Sequence, residues 1–154
     1  IEIERKYLVK NTTFLNDSEI SFKICQGYLN SNAERTVRVR TKNDKGFLTI
    51  KGKSNDSGLS RFEWEKEIPH NEALELLKLC EDFAIEKTRH LVVFDSKTFE
   101  IDVFEGENQG LIMAEVELKD EEEIVNLPEW IDQEVTGNKK YYNSYLSNNP
   151  FKSW

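Results

Sequence analysis

The chain begins Ile1-Glu2-Ile3-Glu4-Arg5-Lys6-Tyr7-Leu8-Val9. In an extended strand alternate side chains share a face, so Glu2, Glu4 and Lys6 stand together on one side. A strand with a charged face can lie on the wet side of a sheet or line a polar interior. The later strands decide between the two.

Strand-like alternation recurs at Ile1–Val9, Phe22–Leu29, Arg35–Thr41, Gly46–Lys53, Ser60–Ile68, Ala84–Leu91, Thr98–Phe104 and Leu111–Lys119. The same division into faces returns in most of them. Val37-Arg38-Val39-Arg40 puts two guanidinium groups opposite two valines, and Lys51 lies opposite Leu48 and Ile50. Arg61, Glu63 and Glu65 oppose Phe62 and Trp64; Lys87 pairs with Arg89, Glu115 with Glu117, and Glu100 and Asp102 flank Ile101. Turns such as Asn43–Gly46, Ser54–Gly58 and Glu105–Gly110 hold residues that tolerate left-handed backbone or bond their own main chain. A helix is predicted after Pro69, capped by Asn71 with Ala73, Leu74, Leu77 and Cys80 as its apolar stripe. A second is predicted over Lys139–Ser147, and a shorter one near Thr13–Glu19.

The chain has 154 residues, 3 Pro, 7 Gly, and neither a repeat nor a flexible linker, so one domain over 1–154 is expected. That length buries roughly 68–70% of the unfolded surface without disulfides or a structural metal. No run of 18 apolar residues and no export-type N-terminus is present, so a cytoplasmic protein with no membrane partner is expected. Cys25 and Cys80 read as buried thiols, and His70 and His90, which have no metal-spaced partner, as structural. The net charge of −8 argues against nucleic acid as a partner while leaving room for a local cationic pocket.

Two arrangements satisfy the alternation. Periodicity alone favours an open antiparallel sheet with its charged face in water, the commonest case. The alternative is a closed barrel with a polar interior and an apolar exterior under helices. Segregation of charge favours the barrel: cations pair on some strands and carboxylates on others, where a solvated face mixes signs. In that register Arg38, Arg40, Lys51 and Glu63 point in, while Val37, Val39, Ile50, Phe62 and Trp64 lie outside under helices. Cations beside carboxylates suit a phosphorylated ligand gripped by Arg and Lys, with a divalent metal held by Glu.

These residues resemble the CYTH, or triphosphate tunnel metalloenzyme, family along nearly the whole chain. The signature Glu-x-Glu-x-Lys stands at Glu2, Glu4 and Lys6. It is followed by QGYL at Gln26–Leu29, VRVR at Val37–Arg40, LTIKG at Leu48–Gly52, SRFEWE at Ser60–Glu65, KTR at Lys87–Arg89, FEIDVFEG at Phe99–Gly106 and AEVEL at Ala114–Leu118. The resemblance implies a mainly β, α+β fold: a closed eight-stranded antiparallel barrel, or tunnel, with helices packed outside. It implies binding of a triphosphate with Mg²⁺ or Mn²⁺, and metal-dependent hydrolysis, of inorganic tripolyphosphate above all. A nucleoside or thiamine triphosphatase, an adenylate cyclase and a non-catalytic polyphosphate-binding module are the alternatives; a monomer or homodimer fits each.

Seven cations, Lys6, Arg38, Arg40, Lys51, Arg61, Lys87 and Arg89, are the candidate substrate ligands, against six glutamates. With two divalent ions and a tripolyphosphate of about −5, the loaded site comes out near neutral. Phosphoryl transfer asks for positioning and charge stabilisation, so no Ser, Cys or His nucleophile is required. Glu2, Glu4 and Glu117 are the candidate metal ligands. Lys6, Glu63, Glu65 and Glu115 are the candidate catalytic residues, the glutamates placing a second metal or the attacking water. Each carboxylate has a plainer reading as half of an internal ion pair. The facing of Glu100, Asp102 and Tyr28 is left open by the strand pattern.

Overall fold

The computed structural model describes the backbone of residues 1–154 and every side chain but those of Asp82 and Phe83. Ten strands form: β1 (Glu2–Val9), β2 (Ile20–Asn30), β3 (Arg35–Lys42), β4 (Lys45–Gly52), β5 (Ser60–Arg61), β6 (Glu63–Ile68), β7 (Glu81–Phe94), β8 (Lys97–Phe104), β9 (Ile112–Glu117) and β10 (Ile131–Glu134). Nine follow one antiparallel path, β10-β1-β9-β8-β7-β2-β3-β4-β6, and β5 turns back to pair with β1. The result is a nearly closed barrel.

The predicted run Ser60–Ile68 is interrupted at Phe62. Its first two residues pair with β1 through Glu2 and Arg61, and the remainder pairs with β4. That break lets one strand serve both neighbours and close the ring. The strand β10 has no counterpart among the predicted elements; it lies along the second half of β1, with Tyr7 opposite Glu134 and Val9 opposite Ile131.

The register fixes the charged face inward. Opposite residues of an antiparallel pair share a face, and the pairs are Glu4 with Glu117, Lys6 with Glu115, Arg38 with Thr49, Lys51 with Glu63, and Arg89 with Asp102. The outer face of β1, β7, β8 and β9 carries the main core, including Tyr7, Val92, Phe99, Ile101 and Val116, closed over by Phe14 and Trp130. These two rings meet edge to face at 5.7 Å, a geometry favoured by the ring quadrupoles.

A second apolar cluster holds Tyr28, Ile85, Phe104, Leu111, Met113 and Leu146, with Leu8, Tyr141 and Phe151 against it. Leu8, Ile85, Phe104 and Met113 are two residues along from Lys6, Lys87, Asp102 and Glu115, so they face inward. One end of the barrel is therefore apolar inside and packed by the C-terminal segment, where the pattern predicts charge along the whole lumen.

The helix α1 (His70–Leu77) packs on β3 and β4. Its buried Ala73 approaches β4 so closely that a Cβ on Gly46 would lie 2.6 Å from the Ala73 Cβ. Asn71 does not cap it: Pro69 occupies the N-cap, with no side-chain bond there, and Leu74 stays exposed. The predicted helix Lys139–Ser147 is broken by the extended backbone of Tyr142, which leaves a 3₁₀ turn at Lys139–Tyr141 and the short α2 (Asn143–Leu146). A 3₁₀ turn also forms at Thr13–Asn16.

Val39 is buried on the outer face, but Phe62 and Trp64 remain exposed at 59% and 43%, since α1 does not reach them. Cys25 and Cys80 are free and half-buried. His90 meets Ser18 Oγ at 3.2 Å and the Phe14 ring, a packing role. No described helix is long and apolar enough to cross a membrane.

Candidate active site

The barrel encloses a cavity of about 210 Å³, and all seven predicted cations line it: Lys6, Arg38, Arg40, Lys51, Arg61, Lys87 and Arg89. Glu2, Glu4, Glu63, Glu115, Glu100 and Tyr28 line it as well. Asp102 stands directly behind, fully buried. Glu65 and Glu117 do not reach the main cavity; with Glu2, Glu63 and Ile1 they bound an adjoining depression.

Eight strands supply the charges, most in alternating positions, which is why they converge without any loop having to be placed. The cations are already partnered. Lys51 bonds Glu2 at 3.0 Å, Lys6 lies 3.6 Å from Glu115, and Glu65 receives Arg38 at 3.5 Å, Arg40 at 3.3 Å and Thr49 at 2.6 Å. Asp102 accepts two bonds from Arg89, at 2.8 and 2.9 Å, and one from Lys87 at 2.8 Å. The rings add to this: Tyr142 lies 5.4 Å from Lys6 Nζ and 5.7 Å from Arg61 Cζ.

The internal partners do not exhaust the donors. Arg38, Arg40 and Arg61 each keep a buried Nε without an acceptor. A buried donor left unmade costs about 1–3 kcal/mol, and the three belong to side chains that line one cavity.

Burial and crowding shift the charges. Burial, with Arg38 and Arg89 nearby, brings Arg40 down to about 10. Burial also pushes Lys87 down to about 8; Asp102 opposes this, but its one charge is shared with Arg89. On the carboxylate side, burial and the charges of Glu115 and Glu2 raise Glu4 well above its ordinary value. Glu63, hydrogen-bonded to Glu2 and partly buried, is raised to about 7. Glu2 and Glu115 are held low against burial, Glu2 by Glu63 and Lys51 and Glu115 by Lys6 and Arg89.

In each of two neighbouring carboxyl pairs one member is thus pushed up, Glu4 beside Glu115 and Glu63 beside Glu2, while the other stays low, as like charges at close range require. Among the described residues no three Asp, Glu, His or Cys side chains gather at metal-ligating geometry. The donor set is nevertheless that of a hard cation: oxygen ligands only, crowded enough to hold protons where a divalent ion can replace them.

Several lining residues escape the charge pattern. Thr36 and Thr49 are legible afterwards, each two residues from a predicted cation on the same strand. Gly58, Leu59, Thr136, Gly137, Tyr142, Asn143 and Ser144 also line the cavity and have no periodic signal. Gly58 and Gly137 bring two loops into backbone contact: a Cβ on Gly58 would lie 2.4 Å from the Gly137 Cα, and both have positive φ, +76° and +77°. Only glycine permits that approach.

A family model described as CYTH domain matches residues 1–147. The chain belongs to the CYTH family. An inorganic triphosphatase of Acetivibrio thermocellus is 45% identical over 155 residues, covering 99% of this chain and 97% of that protein. One of Nitrosomonas europaea is 35% identical, covering 95% and 96%. The crystal structure of an inorganic triphosphatase superposes with a TM-score of 0.67 at 31% identity, over 95% of this chain and 97% of that one.

Proposed function

We propose that this CYTH chain is a metal-dependent triphosphatase whose preferred substrate is inorganic tripolyphosphate, cleaved to pyrophosphate and phosphate. The observation that carries the reading is the convergence of seven lysine and arginine side chains, Arg38, Arg40 and Arg61 among them, on one cavity that glutamates also line. The two curated relatives, both inorganic triphosphatases, support the same substrate class.

In this reading Lys6, Arg38, Arg40, Lys51, Arg61, Lys87 and Arg89 take the phosphoryl oxygens, exchanging internal carboxylates for substrate. Glu2, Glu4 and Glu117 hold Mg²⁺ or Mn²⁺; Glu117 lies opposite Glu4 across β1 and β9. When bound, such an ion supplies charge neutralisation and activates water for attack. Glu63 and Glu115, each bonded to one of the metal glutamates, orient the water or a second ion. Glu65 positions Arg38 and Arg40, which both bond it. As positions rather than nucleophiles, these residues lower the barrier by fixing charge where it develops.

A bare triphosphate suits a small cavity walled by charge, because each terminal phosphate meets its own cations. Nucleic acid does not suit a chain of net charge −8. The reading takes residues 1–154 as one domain. It also includes the cytoplasm as the compartment, supported by the two free thiols.

The test is phosphate release from tripolyphosphate, ATP, thiamine triphosphate and pyrophosphate, each with Mg²⁺, Mn²⁺ or EDTA. Tripolyphosphate is expected to have the highest kcat/KM, pyrophosphate to be poor, and EDTA to stop turnover. Faster hydrolysis of ATP or thiamine triphosphate overturns the substrate assignment.

A further inference from the structure

Asn143 opens α2 and lines the cavity beside the apolar end of the barrel. Its orientation is fixed by a donor-only neighbour. Lys87 Nζ lies 2.9 Å from Asn143 Oδ1, and an ammonium can only donate, so the amide oxygen faces Lys87. The buried Gln26 donates to the same oxygen through Nε2 at 3.2 Å. The amide NH₂ of Asn143 is therefore turned away from both, and among the described residues it has no acceptor.

Gln26 Oε1 is a buried acceptor without a partner, but it is the Nε2 of Gln26 that meets Asn143, and the carboxylate behind Lys87 is already engaged. Both oxygens of Asp102 are committed to Arg89 and Lys87. Lys87 Nζ has used two of its three hydrogens, on Asp102 and Asn143, and it too lines the cavity. An unfilled N–H of Lys87 and an unfilled NH₂ of Asn143 thus line one cavity, and the carboxylate of Glu115 that lines it with them lies with Lys6, at 3.6 Å, and bonds neither. That is the local chemistry of an anion site.

We propose that Asn143 is a further substrate-binding residue: its Oδ1 holds Lys87 in place while its Nδ2 donates to an oxygen of the same phosphate group. The inference rests on the triphosphatase reading and makes the C-terminal segment part of the phosphate site rather than a cover for it.

Affinity for tripolyphosphate is measured by titration calorimetry in EDTA, and kcat and KM with Mg²⁺, for the wild type, Asn143→Ala and Asn143→Asp. The aspartate keeps an acceptor for Lys87 but puts a carboxylate oxygen where the NH₂ was. If Asn143 meets phosphate, N143D raises Kd and KM about 10- to 100-fold, more than N143A does, while its Tm is at least that of N143A. A purely structural residue gives the reverse order, because N143D preserves the bond to Lys87. N143D binding as tightly as wild type, or more tightly than N143A, overturns the proposal. Should N143D not fold, Asn143→Leu, which is similar in size and lacks both groups, is expected to weaken binding about tenfold, and a wild-type Kd for N143L overturns it equally. A wild type that neither binds nor hydrolyses tripolyphosphate overturns the function reading itself, a result distinguishable from failure of Asn143 alone.

Discussion

Lys87 and Asp102 lie 2.8 Å apart with both side chains almost completely buried. Arg89 bonds the same carboxylate twice and reaches Glu100 at 3.2 Å, so Asp102 alone is shared by two cations in a dry environment. Burial works against the Lys87 charge more strongly than Asp102 supports it, which brings its protonation into a measurable range.

The first prediction concerns pH. Burial sets Lys87 to about 8 in the fold, below an unfolded value of about 10.4. In the free enzyme kcat/KM for tripolyphosphate is expected to fall as pH rises past about 8, as the ammonium loses its charge. Between these two values the unfolded chain binds more protons than the folded one, so this group makes stability rise with pH. The Tm difference between wild type and Lys87→Met is accordingly expected to move in favour of wild type from pH 8 to pH 10. A constant difference across that range would refute the shift.

The metal glutamates give the second. Glu4 is buried beside Glu115 and Glu2 and is raised well above its ordinary value. Glu4→Gln is expected to abolish metal-dependent phosphate release, because the amide is a poorer ligand for a hard cation. It relieves like-charge crowding, so Tm at pH 7 should equal or exceed that of wild type. Full activity in E4Q removes Glu4 from the metal site.

The arginines give the third. Arg38 and Arg40 both bond Glu65, and each holds a buried Nε without an acceptor. Arg38→Ala should lower kcat/KM for tripolyphosphate about 10- to 100-fold, the worth of a charged hydrogen bond of roughly 1.5–3 kcal/mol. Glu65→Gln, which leaves both guanidinium groups in place, should cost less. Equal losses in steady-state assays would make Glu65 a direct participant.

The fourth separates fold from site. Gly46 lies under Ala73 of α1, with room for no Cβ, and the Ile68 carbonyl is close as well. Gly46→Ala should destabilise the protein by about 1–3 kcal/mol through overpacking, read in denaturant melts, with kcat of the folded fraction unchanged. A stability within 0.5 kcal/mol of wild type, the ordinary range for surface substitutions, means that α1 is free to shift.

The strand alternation made much of this legible. Because the side-chain period is two, Arg38 with Arg40, Lys87 with Arg89, and Glu2 with Glu4 had to share faces whatever the fold. Closure of the sheet then brought all seven cations to one cavity. Asp102 and Glu100 were ambiguous along their own strand, and pairing with β7 resolved them: Arg89 opposite Asp102 and Leu91 opposite Glu100.

What the sequence by itself determined was the charged face, its sign on each strand, and the family those motifs resemble, all local properties of residues two apart. Tertiary structure decided the rest. The break at Phe62 that closes the ring depends on β1 and β4 competing for one strand. That Glu65 and Glu117 border the adjoining depression, Glu65 held there by Arg38 and Arg40, follows from the pairing of β6 with β4 and of β9 with β1. Asn143 reaches Lys87, 56 residues earlier in the chain, because Tyr141, Leu146 and Phe151 bury their apolar surface in the end of the barrel. Hydrophobic burial is non-directional and acts between residues remote in the chain, so no spacing along the chain records where that segment docks.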